Sequence, residues 1–361
     1  DMKHTLLLFL LLCTYLNTAF SQTDTLAKSK NQLDLYPILF YLPETSLGFG
    51  AAGVYTYRFK GESPDSRPSQ AQTVLSYTLK KQILLYLYGE TYIDNEKWWI
   101  RSELGYYKYF YDFFGVGNEN PTDFVETFEV SFPRARFDVQ YLVAPKLYAG
   151  IRYWFDDYNL LSVEDDGLLA SGAIAGGNSS LISGFGGMLT FDNRDNIFVP
   201  SKGWFIQGIS FFNNKAFGSN FNFNRYELDV ATYIATRPRQ VLALNFYVGT
   251  ITGTAPFNEL LFLGGRRRAR GYYEGRFRDN NMLLAQAEYR FPLFWRLGGV
   301  VFANYGGVAP TVSAYQIENF RWTAGAGLRF LLNKEEGVNL RFDIGFAPES
   351  FAFYFTVGEA F

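Results

Sequence analysis

Residues 338–361 read VNLRFDIGFAPESFAFYFTVGEAF. The stretch alternates, turns and alternates again. Val338, Leu340, Phe342, Ile344 and Phe346 fall on one face, with Asn339, Arg341, Asp343 and Gly345 on the other. After the turn, Phe351, Phe353, Phe355 and Val357 oppose Ala352, Tyr354, Thr356, Gly358 and Ala360. A period of two is that of a β-strand with one apolar and one polar face. The composition of the polar face decides the fold. The outer face of a soluble sandwich carries Lys, Glu, Thr and Ser, whereas here the face carries Gly with Arg and Asp. Small residues beside opposite charges suit a crowded polar lumen, and the apolar face is then left looking at lipid. Glu359 breaks the pattern on the apolar side. It reads as a residue at the membrane interface, as a mark of a seam or a contact between chains, or as an effect of the strand's end.

Two segments upstream alternate in the same way. Trp322, Ala324, Ala326, Leu328 and Phe330 oppose Thr323, Gly325, Gly327 and Arg329. Leu283, Ala285, Ala287, Tyr289 and Phe291 oppose Gln286, Glu288 and Arg290. Further strand candidates run over 46–60, 70–80, 82–92, 97–110, 127–143, 146–158, 183–192, 203–212, 222–235, 241–251 and 298–308. With 281–294, 320–332, 338–347 and 351–361 they make fifteen. Single-chain bacterial barrels use even numbers, so the expected fold is an all-β, antiparallel transmembrane β-barrel of sixteen strands, with fourteen as the alternative. The missing strand falls at 35–42 or within 168–182. The connections at 144–145, 200–203 and 333–337 are tight and read as periplasmic turns. Those at 61–68, 115–123, 159–180 and 252–280 are long and read as outer loops.

Composition agrees with a barrel. The 361 residues include 37 Phe and 26 Tyr, while mean hydropathy is near zero. No apolar run long enough for a helical span follows the first residues. A membrane protein without one must close its backbone hydrogen bonds between strands, and aromatic residues then mark the two interfaces. A Tyr- and Phe-rich soluble sandwich or propeller has the same composition, and only the face chemistry above separates them.

Residues 1–21 read as a cleavable secretory signal: Lys3 and His4, the apolar core LLLFLLL at 6–12, then the small-x-small site Ala19-Phe20-Ser21. Cys13 lies inside it, after Leu12, which is not the small residue a lipoprotein site needs. A short periplasmic segment over 22–36 and a barrel over 37–361 complete the expected organisation, with no room between cleavage site and barrel for a folded periplasmic domain. Cleavage removes the only Cys and the only His. That excludes a Ser-His-Asp triad, a Cys nucleophile and a His-liganded zinc. No catalytic residue, cofactor or metal is expected, and a formal net charge of −2 gives nucleic acid no reason to bind.

The connection 263–281, LGGRRRARGYYEGRFRDNN, holds six arginines against Glu274 and Asp279. Three readings fit it: a solvated surface loop, a loop meeting lipopolysaccharide phosphates, or one folded back into the lumen. For the third, glycines allow tight turns, and a guanidinium can form a bidentate pair with an inward carboxylate such as Glu288 or Asp343.

Several segments, in order, resemble the barrel of the BamA/TamA-like outer-membrane assembly factors, the bacterial surface antigen family. Ala269-Arg270-Gly271-Tyr272 is similar to the family's Val/Ile-Arg-Gly-Phe/Tyr motif on the sixth outer loop. QAEYRFP at 286–292 resembles the following strand. FANYG at 302–306 resembles Phe-x-Asp-x-Gly, with Asn304 in place of the Asp. DNRDNIFVPSKG at 192–203, PETSLGFG at 43–50 and FGVGN at 114–118 also match, and Phe361 resembles the C-terminal aromatic of the insertion signal. The resemblance implies that the loop carrying Arg270, Gly271 and Tyr272 enters the lumen and that Arg270 meets wall residues at Glu288, Asn304 or Asp343. Asn304 carries no charge, so Glu288 or Asp343 is expected to take the ion pair. It further implies residence in the bacterial outer membrane and contact with lipid and lipopolysaccharide. The barrel-assembly machinery would act during biogenesis, and a separate periplasmic partner would stand in for the absent client-receiving (POTRA) domains. The expected role is insertion or transport of proteins or lipids at that membrane, through a weakly paired seam that offers strand edges to a client. The alternative is a passive structural barrel or channel, single or homo-oligomeric, because a family fold identifies a site more safely than an activity.

Overall fold

The computed structural model describes residues 31–42, 46–64, 66–121, 123–333 and 338–361. The expected signal at 1–21 and the start of the PETSLGFG motif lie outside them. Sixteen antiparallel strands close into one barrel in chain order. They are β1 (Gln32–Leu42), β2 (Ser46–Tyr57), β3 (Ser69–Thr78), β4 (Ile83–Ile93), β5 (Trp98–Phe113), β6 (Glu126–Ala144), β7 (Leu147–Ser162), β8 (Ser179–Asp192), β9 (Gly203–Asn213), β10 (Asn222–Arg237), β11 (Gln240–Thr254), β14 (Asn281–Phe294), β15 (Leu297–Ala309), β16 (Arg321–Asn333), β17 (Val338–Ala347) and β18 (Ser350–Val357). Between β11 and β14 the chain forms a small separate hairpin, β12 (Leu261–Leu263) with β13 (Phe277–Asp279).

The two faces sort as the alternation requires. Leu75, Ile151, Leu189, Val301 and Phe346 are exposed on the outside, while Gln140, Asp156, Thr323, Arg341 and Asp343 are buried within. A belt of exposed aliphatic and aromatic side chains around a polar interior is unstable in water and at home in a bilayer. Tight hairpins at Pro145-Lys146, Pro238-Arg239 and Trp295-Arg296 each place one non-glycine residue at positive φ, of 64°, 61° and 50°.

The sixteenth strand is β1, the first of the two places left open; most of 168–182 is loop, with β8 beginning at Ser179. The barrel starts at Gln32, inside the 22–36 segment expected to precede it, because Leu33 and Leu35 continue the outward apolar alternation. Counting from β1 also moves one connection. Residues 58–68 join β2 to β3 and so share an end with the tight turns, not with the long loops. There Glu62 accepts from the backbone N–H of Asp94 at 2.7 Å and of Asn95. Length misassigned this connection, because strand parity sets the side. The end carrying the long loops is the outer one. The connection 255–280 is the sixth on that side.

One junction differs from the rest. β17 pairs with β18 over eight successive residues, and β1 with β2 over eleven. β1 meets β18 at the single pair Tyr41↔Phe355, supported by stacking of Tyr41 on Phe353 with centroids 4.0 Å apart.

Candidate functional site: the sixth outer loop on the strands beside the seam

The inner wall of β14–β18 is shaped by small residues. One row across the sheet reads Glu288, Phe302, Gly325, Gly345, Ala352. The next reads Arg290, Val300, Gly327, Asp343, Tyr354. The Phe302 ring lies over Gly325, where an added Cβ would fall 2.3 Å from the ring. At Gly345 an added Cβ would come within 2.6 Å of the Arg270 carbonyl. The glycines that looked like a lumenal signature therefore form a hollow, and the sixth loop lies in it.

Arg270 is fully buried there. Its Nη1 donates to Asp343 Oδ2 at 2.6 Å, its Nη2 donates to Glu288 Oε1, and its guanidinium sits 3.6 Å from the centroid of Phe302. Gly271, at φ +125°, lies against the backbone of Gly345 and Phe346. Its N–H donates to the Tyr354 hydroxyl at 3.2 Å, and that hydroxyl donates to Tyr272 O at 3.0 Å. Ser350 Oγ donates to Gly271 O at 2.8 Å. The Arg-Gly-Tyr turn is thus tied to β14, β15, β17 and β18 at once.

Asp343 also takes Arg329 Nη1 at 2.5 Å and lies 3.4 Å from Arg341 Nε. Glu288 takes Arg290 at 3.0 Å. Glu359 completes the network, accepting from Arg329 Nε and Asn339 Nδ2, each at 2.8 Å. Four guanidinium groups thus surround three carboxylates out of reach of lipid. Such charges are tolerable only because each is paired.

Residues 109–361 match the Omp85 superfamily domain. The chain belongs to the Omp85 superfamily. It is an outer-membrane β-barrel, and similar solved structures have the same fold. BamA from Haemophilus ducreyi lacking POTRA domains 1–3 superposes with a TM-score of 0.61 at 14% identity, over 91% of this chain and 70% of that one. CdiB from Acinetobacter baumannii gives 0.59 at 11%, over 93% and 60%. CdiB from Escherichia coli gives 0.59 at 10%, over 92% and 68%. Comparison with curated protein sequences gives no match.

In this Omp85 barrel the residues singled out in sequence do not all meet. Glu288 and Asp343 hold Arg270. Asn304, at the position of the family Asp, is buried but donates to Thr323 Oγ1 at 2.6 Å and does not reach Arg270. Parity places Arg290, Arg329 and Arg341 inside; they were readable as inward residues but not as partners of this cluster. Glu359 lies past the end of β18, as the strand-end reading has it, and its side chain is buried against Arg329. Gly358, at φ +85°, ends the alternation and turns Glu359 inward. The same turn carries Phe361 against the cluster of Ala231, Tyr233, Val241 and Ala243, with its O accepting from Arg290 Nη2 at 3.1 Å.

The outer loops are tied to one another. Gly117 N donates to Arg278 O at 2.8 Å, Arg276 Nη2 to Asn120 O at 3.0 Å, and Arg321 Nη2 to Asn118 O at 2.7 Å. Phe257 N donates to Ala175 O at 2.8 Å. Three other outer loops, the third, fourth and seventh, therefore converge on the sixth.

Proposed function

We propose that this Omp85 barrel inserts or passes polypeptide or lipid at the outer membrane, with the β1–β18 junction as the working edge. The observation that carries the reading is the single ladder pair Tyr41↔Phe355, where neighbouring junctions have eight or more. Edge strands that are barely paired leave N–H and C=O groups for an incoming strand, and in hydrocarbon each unpaired group is costly enough to be a driving force. The sixth loop supports this reading from the other side. By clamping β14, β15, β17 and β18 as one plate, it lets the junction open without loosening the C-terminal wall. A passive channel fits less well, since the outer loops are bonded to one another around the lumen. A separate periplasmic partner would bring the client to the edge.

Deletion of the gene followed by quantitative outer-membrane proteomics and lipid analysis tests the proposal. Loss of a defined set of outer-membrane proteins or lipids, restored by the wild-type gene, is the expected result. An unchanged proteome, lipid content and envelope would sink it.

A further inference from the structure

The seventh outer loop, 310–320, packs on the outer face of the wall. β15 outruns its neighbour here. Its last residues, Gly307, Val308 and Ala309, pair with β14, but pairing with β16 stops at Gly306↔Arg321. The loop comes back down the outer face in the place that β16 leaves. Tyr305 and Gly307 share the outward parity of the exposed Val301. The Phe320 ring covers Gly307, where an added Cβ would fall 2.8 Å from it, and packs on Tyr305 with centroids 5.4 Å apart. Tyr315 adds a third ring, 5.8 Å from Phe320. The Tyr305 hydroxyl donates to Ile317 O at 2.7 Å.

The far side of the loop is held as well. Asn118 Nδ2, on the third loop, donates to Asn319 O at 2.6 Å, and Asn319 Nδ2 donates to Glu119 Oε1 at 2.5 Å. Arg321 turns the same way, toward Asn118 O and Glu349. Residue 317 is thus fixed to the outer face of the wall, and residue 319 to the neighbouring loop.

The height of Ile317 follows from its partner. Tyr305 stands opposite Trp322 in the ladder, and both are exposed on the lipid side. Tyr and Trp concentrate where hydrocarbon gives way to water, with the ring in the apolar layer and the polar group at its edge. The Tyr305–Trp322 row, near the outer ends of β15 and β16, marks that level in the outer leaflet. Ile317 is bonded at it. Ile317 and Val312 are 67% and 69% exposed, as open as Ile151 and Phe351 of the lipid-facing belt.

We propose that the seventh loop lies in the outer leaflet, with Ile317 and Val312 against lipid acyl chains. The patch continues the belt through Tyr305 and Trp322, which makes lipid its occupant. Between 310 and 320 the only charged residue is Glu318. It is exposed, and the cost of taking a carboxylate into hydrocarbon sets the loop at the headgroup boundary and no deeper.

The test places a bimane label at I317C in the full chain carrying C13S, which has no other thiol, reconstituted in phosphatidylcholine vesicles. D165C, at an exposed position of the fourth outer loop, is the control on the same side of the membrane. Phosphatidylcholine with a nitroxide high on its acyl chain should quench the label at 317, and iodide should quench it several-fold less than at 165. V312C should behave as I317C does, and serves alone if I317C does not fold. Iodide reaching position 317 as freely as 165 would overturn the proposal by placing the loop in water. Protection from iodide without nitroxide quenching would also overturn it, since protein, such as a second copy of the chain, would then cover the patch.

Discussion

Replacing Arg270 by Ala removes two charge-assisted hydrogen bonds and the guanidinium over Phe302. At about 1.5–3 kcal/mol for each bond and about 2 for a desolvated cation–π contact, the gross loss is roughly 5–8 kcal/mol. The net loss is smaller. Asp343 keeps Arg329 and Arg341, and Glu288 keeps Arg290. The change leaves three guanidinium groups for three carboxylates, so no carboxylate is stranded, and the penalty stays at or below the about 3–5 kcal/mol of breaking a buried pair. About 3 kcal/mol is expected, which raises the undocked population of the loop roughly a hundredfold. Hydrogen exchange reads this directly at the Gly271 amide, whose N–H is held by Tyr354. Exchange across 264–276 should accelerate by about that factor while the amides of β5 and β6 stay protected. Unchanged protection of the loop would refute the lock. Equal loss of protection in β5 and β6 would show instead that Arg270 supports the whole barrel.

Other substitutions probe the same geometry. Gly345→Ala pushes a methyl group to within 2.6 Å of the Arg270 carbonyl, so loop exchange should rise as it does in R270A although every charge is retained. Asn304→Asp restores the family residue, but Asn304 is bonded to Thr323 and not to Arg270. Loop exchange should therefore stay at the wild-type rate, and a tightened loop would contradict the assignment of Glu288 and Asp343 as the partners. In the periplasmic turn, burial acts to raise the Asp195 carboxyl, but hydrogen bonds from Ser201 and Lys202 outweigh it and hold the group below its ordinary value. A depressed folded value contributes stability that is complete above the unfolded value of about 3.9 and is lost as pH falls through the folded one. Exchange at the Ser201 and Lys202 amides should therefore increase, relative to its intrinsic rate, as pH is lowered below about 4. Asp195→Asn should abolish that pH dependence.

Much of the barrel was legible because alternation is local. The inward and outward faces of β14, β16, β17 and β18 can be read residue by residue, and parity alone puts Arg290, Arg329 and Arg341 in the lumen. What alternation cannot give is stagger. Asp343 meets Arg329 and Arg270 because of the register across three strands and the descent of a loop, neither of which is written in any single segment. Of the readings open for Glu359 the strand-end one holds, but its inward turn was not legible, because a φ of +85° at Gly358 leaves no trace in a hydropathy pattern. The connection at 58–68 was placed on the wrong side because its length resembles an outer loop, whereas the side depends on counting β1. Asn304 sits where the family resemblance put it, but carboxylates on β14 and β17, with two strands between them, do the pairing.

The central claim, that the β1–β18 junction is the working edge, is tested most directly by locking it. Tyr41→Cys with Phe355→Cys places two thiols at the one pair joining the strands, in a chain whose only other cysteine, Cys13, lies in the expected signal. Outer-membrane proteomes and lipid content would be compared for cells carrying the oxidised pair, the reduced pair and each single variant. The oxidised pair should reproduce the deletion, and reduction should restore the wild-type membrane. A fully cross-linked junction with an unchanged outer membrane would contradict the claim.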